Sequence, residues 1–132
     1  MYMTNKQIKE KAYQAVIEHE KQEGRETEII EKDGYDILSK SGSEERHIEV
    51  KGTAKKKPTF ICMQPKEFKK MLTDDSYYLY LVRDVGNTPI IKEYKKDEVL
   101  KRLKGVEMHY TIGFSAKEFK DGEEKPHEKQ PA

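Results

Sequence analysis

Tyr77-Tyr78-Leu79-Tyr80-Leu81-Val82 is the longest unbroken apolar run in a chain where 39% of residues are charged. Successive side chains of a strand point to opposite faces, so a run that is apolar at every position belongs to a strand covered on both sides. Ser76–Arg83 is therefore expected to be central, with layers packed above and below it. The other segments are arranged around that requirement.

Residues Thr4–Glu23 contain neither Gly nor Pro. Thr4 and Gln7 have capping-box spacing, and Ile8, Ala12, Ala15, Val16 and His19 form one stripe at helical period, with Gly24 as the stop. His19 reads as a half-buried packing residue. A weak strand is expected over Thr27–Glu31. Tyr35–Ser39 and Arg46–Gly52 form a better pair, joined by a hairpin loop at residues 40–44. Pro58–Met63 reads as a further apolar strand with Cys62 as a small core residue. Gln64-Pro65-Lys66-Glu67 opens a second helix with Pro in its first position, an acid in its first turn, and Phe68, Met71 and Leu72 as its apolar face. Gly86-Asn87 turns the chain into a strand at Pro89–Tyr94. A short helix at Asp97–Leu103 and an edge strand at Val106–Ile112 complete the order αβββ(β)αββαβ. This is an α/β domain, a mixed sheet flanked by helices. Residues 1–113 are expected as one domain and 114–132 as a charged, mobile tail.

Composition removes several function classes. No stretch approaches the ~18 consecutive apolar residues of a membrane span, so no membrane partner is expected. The first residues carry no apolar signal segment, and one cysteine cannot form an intramolecular disulfide or a Cys-based zinc site. A cytoplasmic protein is the expectation. The 26 bases and 25 acids leave a formal net charge of +1, which argues against binding nucleic acid by bulk charge alone. The charges are nevertheless segregated. Glu18–Asp36 holds eight acids and three bases, whereas Lys51–Lys70 holds seven lysines and one acid. Two mutually attracting solvated faces would account for this, as would a cation site beside a phosphate-binding rim.

Arg46-His47-Ile48-Glu49-Val50-Lys51-Gly52 carries the chemistry. On a strand, Ile48 and Val50 face one way and His47, Glu49 and Lys51 the other. Asp36, on the neighbouring strand, brings a second carboxylate near Glu49. Two carboxylates suit Mg²⁺, which takes one or two protein oxygens and keeps several waters. Such an ion activates water against a phosphodiester, and an adjacent lysine orients that water or offsets charge on the phosphate. A solvated ion pair on a sheet face is the plain alternative.

Gly34-Tyr35-Asp36-Ile37, the string Ile48-Glu49-Val50-Lys51-Gly52-Thr53 after Arg46, and the Tyr77–Val82 strand together resemble the NO VEIN C-terminal domain family. The resemblance runs from about Ile8 to Ile112 and includes residues 15–20 at the end of helix one. It implies a restriction-endonuclease-like, PD-(D/E)XK core of order αβββαβ. It also implies Asp36 and Glu49 as metal ligands for Mg²⁺ or Mn²⁺, Lys51 as the catalytic lysine, and Glu20 as an assisting acid, with Glu18 the lesser candidate. Tyr35 stands where the superfamily pattern has proline. The expected activity is hydrolysis of DNA phosphodiester bonds in a restriction, defence or repair system, beside a helicase or restriction-system partner. A homodimer is the arrangement by which relatives often cut both strands. Lys55, Lys56, Lys57, Lys66, Lys69 and Lys70 would meet the DNA backbone. The alternatives are a non-catalytic DNA-binding or protein-interaction module on the same fold, and a structural domain normally fused to a helicase. His47 shares the face of Glu49 and Lys51 and is most simply an ordinary hydrogen-bonding residue.

Overall fold

The structure is a computed structural model, and it describes residues 2–107 and 110–119. Helix α1 (Asn5–Gln22) starts where Thr4 Oγ1 accepts the Gln7 N–H at 3.1 Å and Gln7 Oε1 accepts the Thr4 N–H at 2.9 Å. It stops before Gly24, whose φ of +80° disfavours any residue with a Cβ. Ala12, Tyr13, Val16 and Glu20 are its buried residues, so its inner face includes a tyrosine and a glutamate that the apolar stripe did not contain.

Strands β1 (Glu26–Ile29), β2 (Ile37–Ser41) and β3 (Glu44–Gly52) form an antiparallel meander. The β2–β3 turn is only Gly42-Ser43, tighter than the expected loop, with Gly42 at φ +61°. Helix α2 (Pro65–Thr73) then carries the chain across to β4 (Tyr77–Arg83), which lies parallel to β3 with His47 beside Tyr77 and Gly52 beside Val82. Strand β5 (Ile90–Lys95) returns antiparallel, and helix α3 (Lys96–Lys101) comes next. The sheet is mixed and its strands lie in sequence order, β1-β2-β3-β4-β5. Among the described residues, no helix is long and apolar enough to cross a membrane.

The two faces of β3 and β4 build two cores. Ile48, Val50, Tyr80 and Val82 pack with Ile37 against Ala12, Tyr13 and Val16 of α1. On the opposite face Tyr77 packs with Tyr35 and with Met71 of α2, flanked by Leu38, Phe68 and Val99. Each fully buried aliphatic or aromatic side chain contributes about 1.5–3 kcal/mol. The central-strand expectation for Ser76–Arg83 is met by this alternation. At Gly52 α1 lies tight against the sheet, because a Cβ there would lie 2.7 Å from the Ala12 Cβ.

Two expected strands do not appear among the described residues. Pro58–Met63 is irregular, with Phe60 71% exposed and Cys62 exposed rather than in the core. Both lanes beside β3 are already taken by β2 and β4, so the run cannot pair with the strand it has just left. Only Met63 reaches a core. Residues 106, 107 and 110–112 are not in a strand, and Val106, Tyr110 and Ile112 are exposed, so β5 remains a sheet edge. Residues 108–109 of that segment, and residues 120–132 of the tail expected over 114–132, lie outside the described residues. Leu72, expected on the apolar face of α2, is exposed.

Gly52→Val is expected to destabilise the domain by about 1–3 kcal/mol through overpacking against Ala12. Urea unfolding checks this as a lowered midpoint at unchanged slope. Gly105→Ala, where an added Cβ meets nothing within 4 Å, should leave the midpoint in place.

Candidate functional site

Asp36 immediately precedes β2, and the main chain and side chain both fix it against β3. Its N–H donates to Ile48 O at 2.9 Å, and its Oδ2 accepts the Val50 N–H at 2.8 Å. One residue back along β3, Glu49 points to the α2 face and is 2% exposed. Burial pushes its carboxyl up to about 10, the hydrogen bond it shares with Glu67 and the charge of Asp36 add to this, and Lys51 opposes them. Lys51 Nζ stands 3.3 Å from Glu49 Oε2 and 2.9 Å from Glu67 Oε1. Burial works against the Lys51 ammonium, but Glu67 and Glu49 outweigh it and raise its pKa above the ordinary lysine range. Burial would raise the Glu67 carboxyl. Its bonds to Glu49, Lys51 and the Gln64 N–H nevertheless hold it below the glutamate range. Of the two acids, Glu49 is the one pushed toward its neutral form and Glu67 the one held toward its charged form.

The α1 side supplies a rim. Tyr13 Oη donates to Glu31 Oε2 at 3.3 Å and is within hydrogen-bonding reach of Asp36. Lys9 pairs with Glu31 at 2.8 Å and lies 5.5 Å from the centre of the Tyr13 ring. A cleft of about 340 Å³ runs between α1 and the end of β3, lined among others by Asn5, Lys9, Tyr13, Lys51 and Thr53. Asp36, Glu49 and Lys51 are thus neighbours, as the spacing predicted, and Glu67, Tyr13 and Lys9 join them. Glu67 drew notice in the sequence only as a first-turn acid. Its contact with Lys51 depends on where α2 crosses the sheet, which no local spacing encodes.

Glu20 is not among them. Its fully buried carboxylate lies on the α1 face, opposite Glu49 and Lys51. It accepts hydrogen bonds from Arg25 Nε (2.8 Å) and Nη2 (3.0 Å), Ser39 Oγ (2.9 Å) and Tyr80 Oη (3.0 Å). The sequence placed this acid at the end of helix one correctly but could not show that Arg25, five residues on, folds back to meet it. Arg46 extends the network, donating to Tyr80 Oη at 2.9 Å and to Glu93 Oε1 at 2.6 Å, and His19 bonds Glu93 at 2.8 Å. His19, Glu20 and Glu93 are the described His/Asp/Glu group whose ligand atoms all fall within 4.8 Å of one another. Arg25 and Arg46 already neutralise its two carboxylates, so it offers a cation no net charge. Asp36 and Glu49, even with Glu67, do not form a group of three that tight. They are, however, hard oxygen donors in the number that hydrated Mg²⁺ requires.

The remaining expected residues divide clearly. His47 stacks on Tyr35, with ring centres 4.4 Å apart. Its nitrogens meet Asp74 and Glu45, leaving neither for a metal. Lys55, Lys56 and Lys57 are exposed while their backbone is tied to the end of β4. The Asp84 N–H donates to Lys55 O at 2.9 Å, and the Arg83 guanidinium donates to Lys56 O at 2.7 Å. Lys66 and Lys69 are exposed on α2, Lys66 donating to Lys32 O at 3.3 Å. Lys70 is engaged with Asp74 at 3.4 Å beside the Tyr35 ring, which makes it the least available of the six lysines to a phosphate. Glu18 is exposed and bonds Gln22.

Residues 8–94 match the family described as Protein NO VEIN, C-terminal. The chain belongs to this family. The match to the NO VEIN C-terminal family takes in Asp36, Glu49, Lys51 and Glu67 and ends at Tyr94 within β5, so α3 and the residues after it lie outside the match. No curated protein and no solved structure gives a significant match.

Glu20→Ala is expected to cost about 3–5 kcal/mol of stability, because it leaves the partly buried Arg25 unpaired and takes the acceptor from Ser39 and Tyr80. Burial pulls the Glu20 carboxyl up, but Arg25, Ser39 and Tyr80 outweigh it and hold the group below the glutamate range. A depressed carboxyl stabilises the fold above its unfolded value of about 4.3, and this contribution is lost as pH falls through the folded value. Thermal melts between pH 3 and 7 should show the wild type losing stability in acid more steeply than Glu20→Ala.

Proposed function

We propose that this NO VEIN C-terminal domain is a Mg²⁺- or Mn²⁺-dependent nuclease-like unit of the restriction-endonuclease-like, PD-(D/E)XK class, hydrolysing DNA phosphodiester bonds. The observation that carries the reading is the Asp36 carboxylate, fixed to the Val50 N–H beside Glu49 and Lys51 at the end of β3. Asp36 and Glu49 hold the ion, and the fit rests on their oxygen chemistry and on the surplus of acid over base around them. When bound, the ion supplies an activated water and offsets charge on the phosphate under attack.

Lys51 is the residue that meets the phosphate. Its ammonium, 2.9 Å from Glu67 and 3.3 Å from Glu49, stands on the same strand face as the metal-holding acid. It orients water or stabilises phosphate charge, and as a cation it does not serve as the base. Lys55, Lys56 and Lys57 leave the end of β3 with their ammonium groups exposed, and with Lys66 and Lys69 they meet the DNA backbone. Lys70, held by Asp74, contributes little to that contact. Glu20 acts through the framework. In the cell the domain works in the cytoplasm in a restriction, defence or repair system, beside a helicase or restriction-system partner and as a homodimer where both strands are cut.

Single- and double-stranded DNA incubated with Mg²⁺ or Mn²⁺ should be cleaved, and Lys51→Ala and Asp36→Ala should each lower the rate by about 10²-fold or more. Undiminished cleavage by both variants would sink the assignment. Retarded migration on gels that persists in Glu49→Ala, with no cleavage under either metal, would instead identify a binding module on the same framework.

A further inference from the structure

Glu67 makes a contact that its place in the helix does not explain. An acid at the third helical position usually reaches back to its own N-cap, and Glu67 Oε1 does accept the Gln64 N–H at 2.8 Å. The same oxygen is 2.9 Å from Lys51 Nζ, and the carboxyl shares a hydrogen bond with Glu49. A cap glutamate has open solvent to choose from, yet this one lies against a second, buried carboxyl. Glu49 Oε2 is 3.3 Å from the same ammonium, so two acids share Lys51, and the charge of Asp36 acts on Glu49 as well. Lys9, whose charge also reaches Asp36 and Glu49, is paired with Glu31. The group is short of positive charge.

Tyr77 supplies an independent observation. Its ring is 2% exposed, and its hydroxyl is shielded from solvent and has no hydrogen-bond partner. The charges acting on that hydroxyl are those of Glu49 first, then Glu67 and Asp36, with Asp74 beyond. A buried hydroxyl without a partner is uncommon and marks a place where a polar atom belongs. A hydrated divalent cation answers both deficits. It supplies the missing charge to the carboxylates, and one of its waters supplies the partner for Tyr77.

We propose that Glu67 is a third carboxylate of the divalent-cation site, and that the Tyr77 hydroxyl holds a water in the shell of that ion. Lys51 is then the internal cation that keeps Glu49 and Glu67 together until the ion enters. The assignment rests on the metal-dependent reading given above, but it concerns residues which that reading does not use.

The test is binding of Mn²⁺ alone to the full chain, monitored by the electron paramagnetic resonance signal of free Mn²⁺ and by calorimetry, with no activity assay. Glu67→Gln keeps an oxygen for the Gln64 N–H, and a melt without metal checks that it folds as wild type does. The expected result is Mn²⁺ binding by wild type, weakened at least about tenfold in Glu67→Gln and several-fold in Tyr77→Phe. Wild-type affinity in Glu67→Gln, with binding lost in Asp36→Asn, would overturn the role of Glu67 while leaving the metal site at Asp36 and Glu49. Wild-type affinity in Tyr77→Phe would overturn the role of Tyr77. No binding by wild type would overturn the metal-dependent reading and this inference with it.

Discussion

The parallel pairing of β3 with β4 is the constraint on which the rest of the domain depends. Parallel neighbours cannot be joined by a tight turn, so the chain between Gly52 and Tyr77 must cross over, and the crossover contains α2. A strand paired on both edges also needs cover on both faces, which α1 and α2 provide. The helix demanded by topology is therefore the one that brings Glu67 to Lys51. The acidic group is assembled by the same connection that closes the sheet.

The sheet also separates two kinds of electrostatics. On the α1 face, Glu20, Arg25, Ser39, Tyr80, Arg46, Glu93 and His19 form a network in which each carboxylate has a guanidinium partner. Such a network fixes geometry, since removing Arg25 leaves the buried Glu20 carboxylate without its counter-charge. At the other group, Glu49 and Glu67 share the one ammonium of Lys51, and burial with the neighbouring acids raises the Glu49 carboxyl. One face is electrostatically complete and the other is not. Chemistry is to be sought on the incomplete one.

Much of this was legible in the sequence where a local rule sufficed. The Thr4–Gln7 spacing marks the start of α1, the alternation through Ile48, Glu49, Val50 and Lys51 sets the faces of β3, and the run Tyr77–Val82 marks a strand buried on both sides. Asp36 near Glu49 came from recognising the hairpin. What failed depended on partners remote in sequence. Pro58–Met63 has the composition of a strand but no free lane beside β3. Cys62 is apolar enough for a core that never reaches it. Glu20 has the position of a site residue but turns to Arg25 and Tyr80, while Tyr77, legible as core, could not be foreseen to end in a hydroxyl without a partner. Side-chain type and period fix which face a residue occupies, and only the assembled layers determine what it meets there.

The two-residue turn at Gly42-Ser43 places the start of β3 and the acidic group at opposite ends of one strand. From Glu44 to Lys51 the strand advances roughly 23 Å at about 3.3 Å per residue. An added Cβ at Gly42 would touch nothing within 4 Å. The hairpin tip is therefore a handle on the molecule: a fluorophore or surface tether attached at Ser43 would report on or hold the domain while the working end stays clear.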